Sequence, residues 1–309
     1  MRASAVVSLA LVFVTSCDVD RLLRVPAQGA QVTPQAPWNA PQAPWNSPPA
    51  ATLHLALGTP TDASSQDDWL LAKPQYAVSY NRFRNAPNWV AWRLSASDLG
   101  STGRTRRNFA PDPQLPNGMY RVHDGDYSGS GYDRGHLCPS AQRTADPDDN
   151  AATFLTTNIL PQRHDLNAGA WENLERWSID MARAGWDLYT YAGGIWPREC
   201  ATNLAPTGNA PSFGCPSIGR SGDVTRRVAV PYSTWKVIVL VPQGRALDAV
   251  NVNTPVVAVD MPNDGSAGAD WRRYLSTVDT IEARTGYELL GNVNVAVQQA
   301  IESRVYAGP

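Results

Sequence analysis

Beyond its first 17 residues, this 309-residue chain has no apolar run long enough to cross a bilayer, which takes about 20 residues. Excess positive charge is lacking too. Lys and Arg number 26 against 28 Asp and Glu, a formal net charge of -2, which argues against a protein that coats nucleic acid through bulk charge. A locally positive groove remains open to it. Histidines and cysteines are four each. The cysteine spacing fits no zinc site and no His-Glu-x-x-His pair occurs, so an exported zinc protease has nothing to build on. What is present, 43% hydrophobic residues, is enough for one large domain with a real core, whether enzyme or binding module.

The N-terminus reads as an export signal over residues 1–17. Arg2 is followed by residues 3–14, apolar apart from two serines, and then by Thr15, Ser16 and Cys17. Two outcomes are open: simple cleavage, or a lipoprotein signal in which Val-Thr-Ser-Cys serves as a loose lipobox and Cys17 carries lipid. Residues 18–52 follow as a tether. Six prolines and the near-repeat QAPWNAP, QAPWNSP fall within 31–50, a density that favours an extended, semi-stiff spacer. Trp38 and Trp45 in this arm are either loosely packed or a base-stacking pair. Cys200 and Cys215 flank a Pro/Gly/Asn-rich loop, and an oxidising compartment favours their pairing; closing such a loop is worth roughly 3 kcal/mol. Cys138 is then left as a small buried hydrophobe.

The folded domain is expected over 53–309. Strand-like runs fall at 76–80, 89–94, 188–192, 227–230 and 236–241, with helical stretches around Ala151, Trp171 and Trp271. Their irregular order points to an α+β fold rather than a doubly wound parallel sheet.

Chemistry concentrates in three clusters: RTRRNFAPDP at 104–113, YSGSGYDRGHLCP at 127–139 and TTNILPQRHDLNAGAWENLE at 156–175. Gly129, Gly131 and Gly135 are expected to let the backbone turn sharply and aim Arg134 and His136. Cleaving a phosphodiester needs a deprotonated water and offset charge on the phosphorane and the leaving oxygen. A histidine takes a proton near neutral pH, arginines match phosphate geometry, and hard Mg²⁺ needs as little as one amide or carboxylate. Local charge agrees weakly: residues 101–144 hold six arginines against four aspartates.

DRGH followed by N…PQ…N…W…LE resembles the DNA/RNA non-specific endonuclease family of the ββα-metal fold, with its secreted cyanobacterial-type and endonuclease G branches. The likeness also takes in LHLALGTP, NWVAWRL, MPND and TGYELLGNV. It implies a central antiparallel sheet flanked by helices, and one-metal hydrolysis of single- and double-stranded DNA and RNA leaving 5′-phosphates, with Mg²⁺ or a substituting Mn²⁺. His136 would be the general base and Arg134 a phosphate-side contact. Arg107 would meet the transition state and Asn158 support the site. Asn167 would be the sole direct metal ligand, and Glu175 would hold a metal-bound water. On one straight helix Asn167 and Glu175 would lie about 12 Å apart along the axis, too far to share an ion directly. Gly169, a poor mid-helix residue, is consistent with Asn167 at or before the helix start, with Trp171, Leu174 and Met181 as the buried stripe and Gly185 as the stop.

Each residue also has a plainer reading: His136 as a structural histidine, Asn167 as a helix cap, Glu175 as a solvated charge. Asp133 is expected to fix its loop by hydrogen bonds, His164 to be an exposed loop residue, and Arg104 and Arg106 to be surface charges. The rival whole-chain reading is a catalytically weak nucleic-acid-binding surface protein on the same scaffold. Oligomeric state has no signature.

Overall fold

The computed structural model describes residues 53–63, 67–103, 109–196, 216–245 and 247–308, all within the unit spanning 46–309. Cys17, Trp38, Trp45, Arg104, Arg106, Arg107, Cys200 and Cys215 lie outside them.

Seven strands make an antiparallel sheet: β1 (Trp69–Ala72), β2 (Ala77–Asn81), β3 (Ala86–Leu94), β6 (Trp186–Ile195), β9 (Ser233–Pro242), β10 (Val256–Pro262) and β11 (Leu275–Ser276), in that spatial order. β4 (Asp133–His136) pairs with β5 (Ile159–Gln162), and β7 (Ser217–Ile218) with β8 (Val228–Ala229). The helices are α1 (Asp124–Tyr127), α2 (Pro147–Ala152), α3 (Glu172–Arg183), α4 (Val278–Thr285) and α5 (Val295–Glu302).

The sheet is buried on both faces, so its middle strands read as nearly unbroken apolar runs rather than alternating ones. Side chains still alternate physically. On one face Val90, Trp92, Ile238 and Leu240 pack with Leu137 just after β4, Leu166 and Trp171 in the turns between β5 and α3, and Leu174 of α3. On the other, Trp89, Trp235, Val237 and Val239 meet Ile281, Leu289, Leu290 and Ile301 near the C-terminus. The fold is α+β: a central antiparallel sheet with helices on either side.

Each expected strand overlaps an observed one. The helix expected around Trp271 is only a 3-10 turn, Trp271–Tyr274. Strands β1, β4, β5, β7, β10 and β11 and helices α1, α4 and α5 are additions. Gly129 and Gly131 adopt positive φ of 73° and 80°, as turning glycines should. Gly135 does not turn. It lies inside β4, where a Cβ would fall 2.0 Å from Gln162 Oε1 on the neighbouring strand, so here glycine makes room for a side chain rather than for a bend.

Candidate active site

Strand alternation sets the first pair. Arg134 and His136, two apart on β4, project to the same side. Phe109 sits between them: its ring centroid is 5.3 Å from that of His136, and the Arg134 guanidinium lies over it at 5.7 Å. Phe154 meets the His136 ring edge-on at 5.0 Å. His136 is only 9% exposed, and two aromatic walls hold the plane of its ring. Arg134 is held by Asp124, through Nε to Oδ1 at 2.5 Å and by Nη2 donating to the backbone carbonyl at 2.7 Å, and also stacks over Tyr127. Arg107, two residues before Phe109, is outside the described residues.

Asn158 supports this pair from behind. It is fully buried. Its Oδ1 accepts from the Cys138 amide at 2.9 Å, and its Nδ2 donates to the carbonyls of Cys138 at 2.8 Å and Thr153 at 2.9 Å. Its own carbonyl accepts from Leu137. The side chain thus extends the β4–β5 ladder beyond His136 and binds it to the end of α2. Cys138 itself is buried and free, its thiol pushed up to about 12 by burial, an inert hydrophobe.

Past β5 the chain makes a helical turn at His164–Leu166 and a π-helical turn at Asn167–Trp171 before α3. Gly169, with φ −108° and ψ −113°, breaks the helix between Asn167 and Glu175, so the two do not share one straight axis. Asn167 ends the His164–Leu166 turn with its backbone and does not N-cap α3; its Nδ2 donates to Asp133 Oδ2 at 3.1 Å. The same carboxylate oxygen lies 2.8 Å from His164 Nδ1, so Asp133 ties β4 to the loop by hydrogen bonds. His164 is otherwise exposed.

Trp171 locks helix to strand. It is 1% exposed, and its Nε1 donates to the His136 carbonyl at 3.0 Å. One turn later Glu175 keeps a side chain 14% exposed, and its backbone carbonyl accepts from Gln142 Nε2 at 3.3 Å. α3 then buries Leu174, Ser178 and Ala182 and stops before Gly185, whose φ is +96°; Met181 packs only partly buried. The residue that sequence reasoning missed is Lys236. Its Nζ lies 3.9 Å from Glu175 Oε1 and 3.8 Å from the Trp171 ring centroid. Burial pushes this lysine down to about 8 against the opposing pull of Glu175. The available signal was a lone lysine in the apolar strand STWKVIVLVP.

The donor set suits a hard cation. A carboxylate only accepts, so the NH₂ of Asn167 faces Asp133 and its Oδ1 points the other way. Oδ1 and the Glu175 carboxylate are oxygen donors of the kind Mg²⁺ prefers. Two other groups of carboxylates, Asp62–Asp67–Asp68 and Asp279–Glu282–Glu302, each gather within 4.8 Å, and neither includes a candidate site residue.

Residues 54–296 match the family model for DNA/RNA non-specific endonuclease. The chain belongs to the DNA/RNA non-specific endonuclease family. That membership makes it a nuclease, a hydrolase of nucleic acids, in a metal-dependent family. It is similar to a nuclease of Nostoc sp., 44% identical over 83% of this chain and 87% of that one. It also resembles a nuclease of Serratia marcescens, 29% identical over 81% and 84%. A chain in the crystal structure of an EndoG/EndoGI complex aligns with TM-score 0.64 at 22% identity, over 80% of this chain and 94% of that one. The fold is therefore the ββα nuclease fold, with β4, β5 and the helix through Trp171 and Glu175 as its motif.

Proposed function

We propose that this nuclease is exported and hydrolyses DNA and RNA, single- and double-stranded, by a one-metal mechanism with His136 as general base, leaving 5′-phosphate ends. The observation that carries this reading is the link through Trp171: the carbonyl of His136 is bonded to the helix that carries Glu175, while its ring shares Phe109 with Arg134.

The water that attacks phosphorus gives its proton to a ring nitrogen of His136; the new P–O bond forms as the bond to the 3′ oxygen breaks. Arg107 and Arg134 meet the phosphate charge, the latter aimed by Asp124. Mg²⁺, or Mn²⁺ in its place, would be held by Asn167 directly and by Glu175 through water, and would offset charge on the phosphate and the leaving oxygen. Asn158 keeps the strand behind His136 in register. The test is a gel assay of all four substrates with and without EDTA. Wild type should degrade each with Mg²⁺ or Mn²⁺ and none in EDTA, and His136→Ala should retain binding and lose roughly 10²–10⁴-fold in rate. Undiminished cleavage by His136→Ala would sink the mechanism and favour a scaffold that merely binds.

Residues 1–17 are proposed to direct export, 18–52 to act as a spacer and 53–309 to form the nuclease domain, with Cys200 and Cys215 pairing after export. Intact mass of the mature protein, before and after reduction, should show a loss of the leader. It should also show a gain of 2 Da, about two hydrogens, on reduction if one disulfide forms. Added acyl mass on Cys17 would assign the lipoprotein route, and a species starting elsewhere with no such mass the simple cleaved one.

A further inference from the structure

We propose that Lys236 is a positioning residue for the reaction: its buried ammonium holds the Glu175 carboxylate in place against the sheet. This deepens the reading above and rests on its assignment of Glu175.

Lys236 lies on β9 in register with Ala192 of β6 and Val259 of β10. By alternation it shares a face with Ile238 and Leu240, the face covered by β4, β5 and α3. Only 1% of it is exposed. A solvated ammonium gives up much to enter such a place unless opposite charge meets it. The carboxylate that faces it is Glu175, at 3.9 Å. The aromatic faces of Trp171 at 3.8 Å and Trp92 at 5.7 Å supply further attraction.

Glu175 follows Trp171 by four residues, one helical turn, so both side chains lie on the same side of α3 and meet the same ammonium. The backbone at Glu175 is fixed independently by Gln142, whose Oε1 in turn accepts from Trp92 Nε1 at 2.8 Å. Main chain and side chain of Glu175 are thus both tied to the sheet, and through Trp171 to the His136 carbonyl. For stability alone this lysine is a poor choice. Apolar side chains replacing both members of such a buried pair are commonly neutral or stabilising, and in Lys236→Met the Glu175 carboxylate, 14% exposed, keeps access to water. What methionine cannot do is hold a carboxylate.

The experiment is a double-mutant cycle, Lys236→Met, Glu175→Gln and both, on the mature protein, with two readouts. In EDTA, thermal unfolding reads the pair without metal. Glu175→Gln should lower Tm in the wild-type background by roughly 2–8 °C, because it strands a buried charge, and should change Tm by less than about 1 °C in the Lys236→Met background. With Mg²⁺, Lys236→Met should lower kcat about 10–100-fold, with KM for DNA within about twofold, and adding Glu175→Gln should bring little further loss. The proposal is overturned by additive Tm shifts, by kcat of Lys236→Met within twofold of wild type, or by a Tm loss in that variant large enough to account for its lost activity. Should Lys236→Met not fold, Lys236→Gln carries the same cycle, and failure of both assigns the lysine to the fold and overturns the proposal. His136→Ala separates the readings. If that variant still cleaves, the mechanism itself fails; if it is dead while Lys236→Met is fully active, only the present inference does.

Discussion

A glycine between two candidate site residues invites an explanation by flexibility, and Gly135 shows why the neighbours decide. Its backbone is ordinary strand; what it lacks is a Cβ, and the missing atom is where Gln162 Oε1 lies, 2.0 Å from the ideal Cβ position. Gln162 is fully buried and has little room to retreat. Gly135→Ala should therefore push β4 away from β5, destabilise by about 1–3 kcal/mol, and lower kcat more than KM, because Arg134 and His136 flank the displaced residue. Gly135→Ala/Gln162→Ala should recover most of both losses. If the double variant is as impaired as the single one, backbone freedom and not side-chain room is what the position requires. His54 shows the opposite case, a histidine wholly explained by structure. Its Nε2 lies 2.8 Å from the Pro74 carbonyl, its Nδ1 accepts from the Arg93 amide, and burial lowers it to about 4.

Between elements, the link that matters most is the single bond from Trp171 Nε1 to the His136 carbonyl. Trp171→Phe keeps the aromatic packing and removes only the donor. A buried carbonyl left wanting costs about 1–3 kcal/mol, so chemical denaturation should show a loss of that size. kcat should fall, while the pH dependence should keep its form, since the proposed base, His136, is unaltered; a variant as stable and active as wild type would show that packing alone docks the helix. The elements that carry this docking were unevenly legible. The strand around 236–241 announced itself by its apolar run, and the helix by Trp171, Leu174 and the stop at Gly185. DRGH hid its strand, because glycine and charged residues are poor strand formers on their own and β4 is only four residues long. The π-helical turn at Asn167–Trp171 has no sequence period of its own. Gly169 flagged the break, yet nothing in the sequence could give its geometry. Lys236 was visible as a letter but unreadable as a function, because its partner comes from a helix some 60 positions earlier, and contact at that separation is a property of the sheet's layering. α4 and α5 were missed for a related reason: each is eight residues long, and such helices take their stability from the core they cap rather than from their own pattern.

Across the whole molecule, the two faces of the sheet do different work. One carries the catalytic candidates; the other is closed by α4, α5 and the segment between them, where carboxylates crowd. Glu302, at the end of α5, is 5% exposed, and its Oε1 is buried with no hydrogen-bond partner among the described residues. Burial first, then Glu282, raises its carboxyl from 4.5 to about 8; Gln298 opposes this, and Glu288 and Asp279 add to it. The sign follows from linkage. A group that binds its proton more tightly in the folded state gives stability that is complete below its unfolded pKa and is lost as pH rises through its folded one. The native state should thus weaken between about pH 4.5 and pH 8 as this carboxyl ionises beside Glu282. Glu302→Gln keeps the size and removes the proton. Its Tm should match wild type near pH 4.5 and exceed it by roughly 2–6 °C at pH 9, and the difference curve should cancel every other titration in the molecule. A constant offset across the range would mean that the glutamine changes packing alone. A Tm below wild type at pH 9 would mean that the ionised carboxylate is stabilising, contrary to its surroundings. Since this face lies across the sheet from His136, cleavage measured below the melting range should be the same for both proteins at every pH.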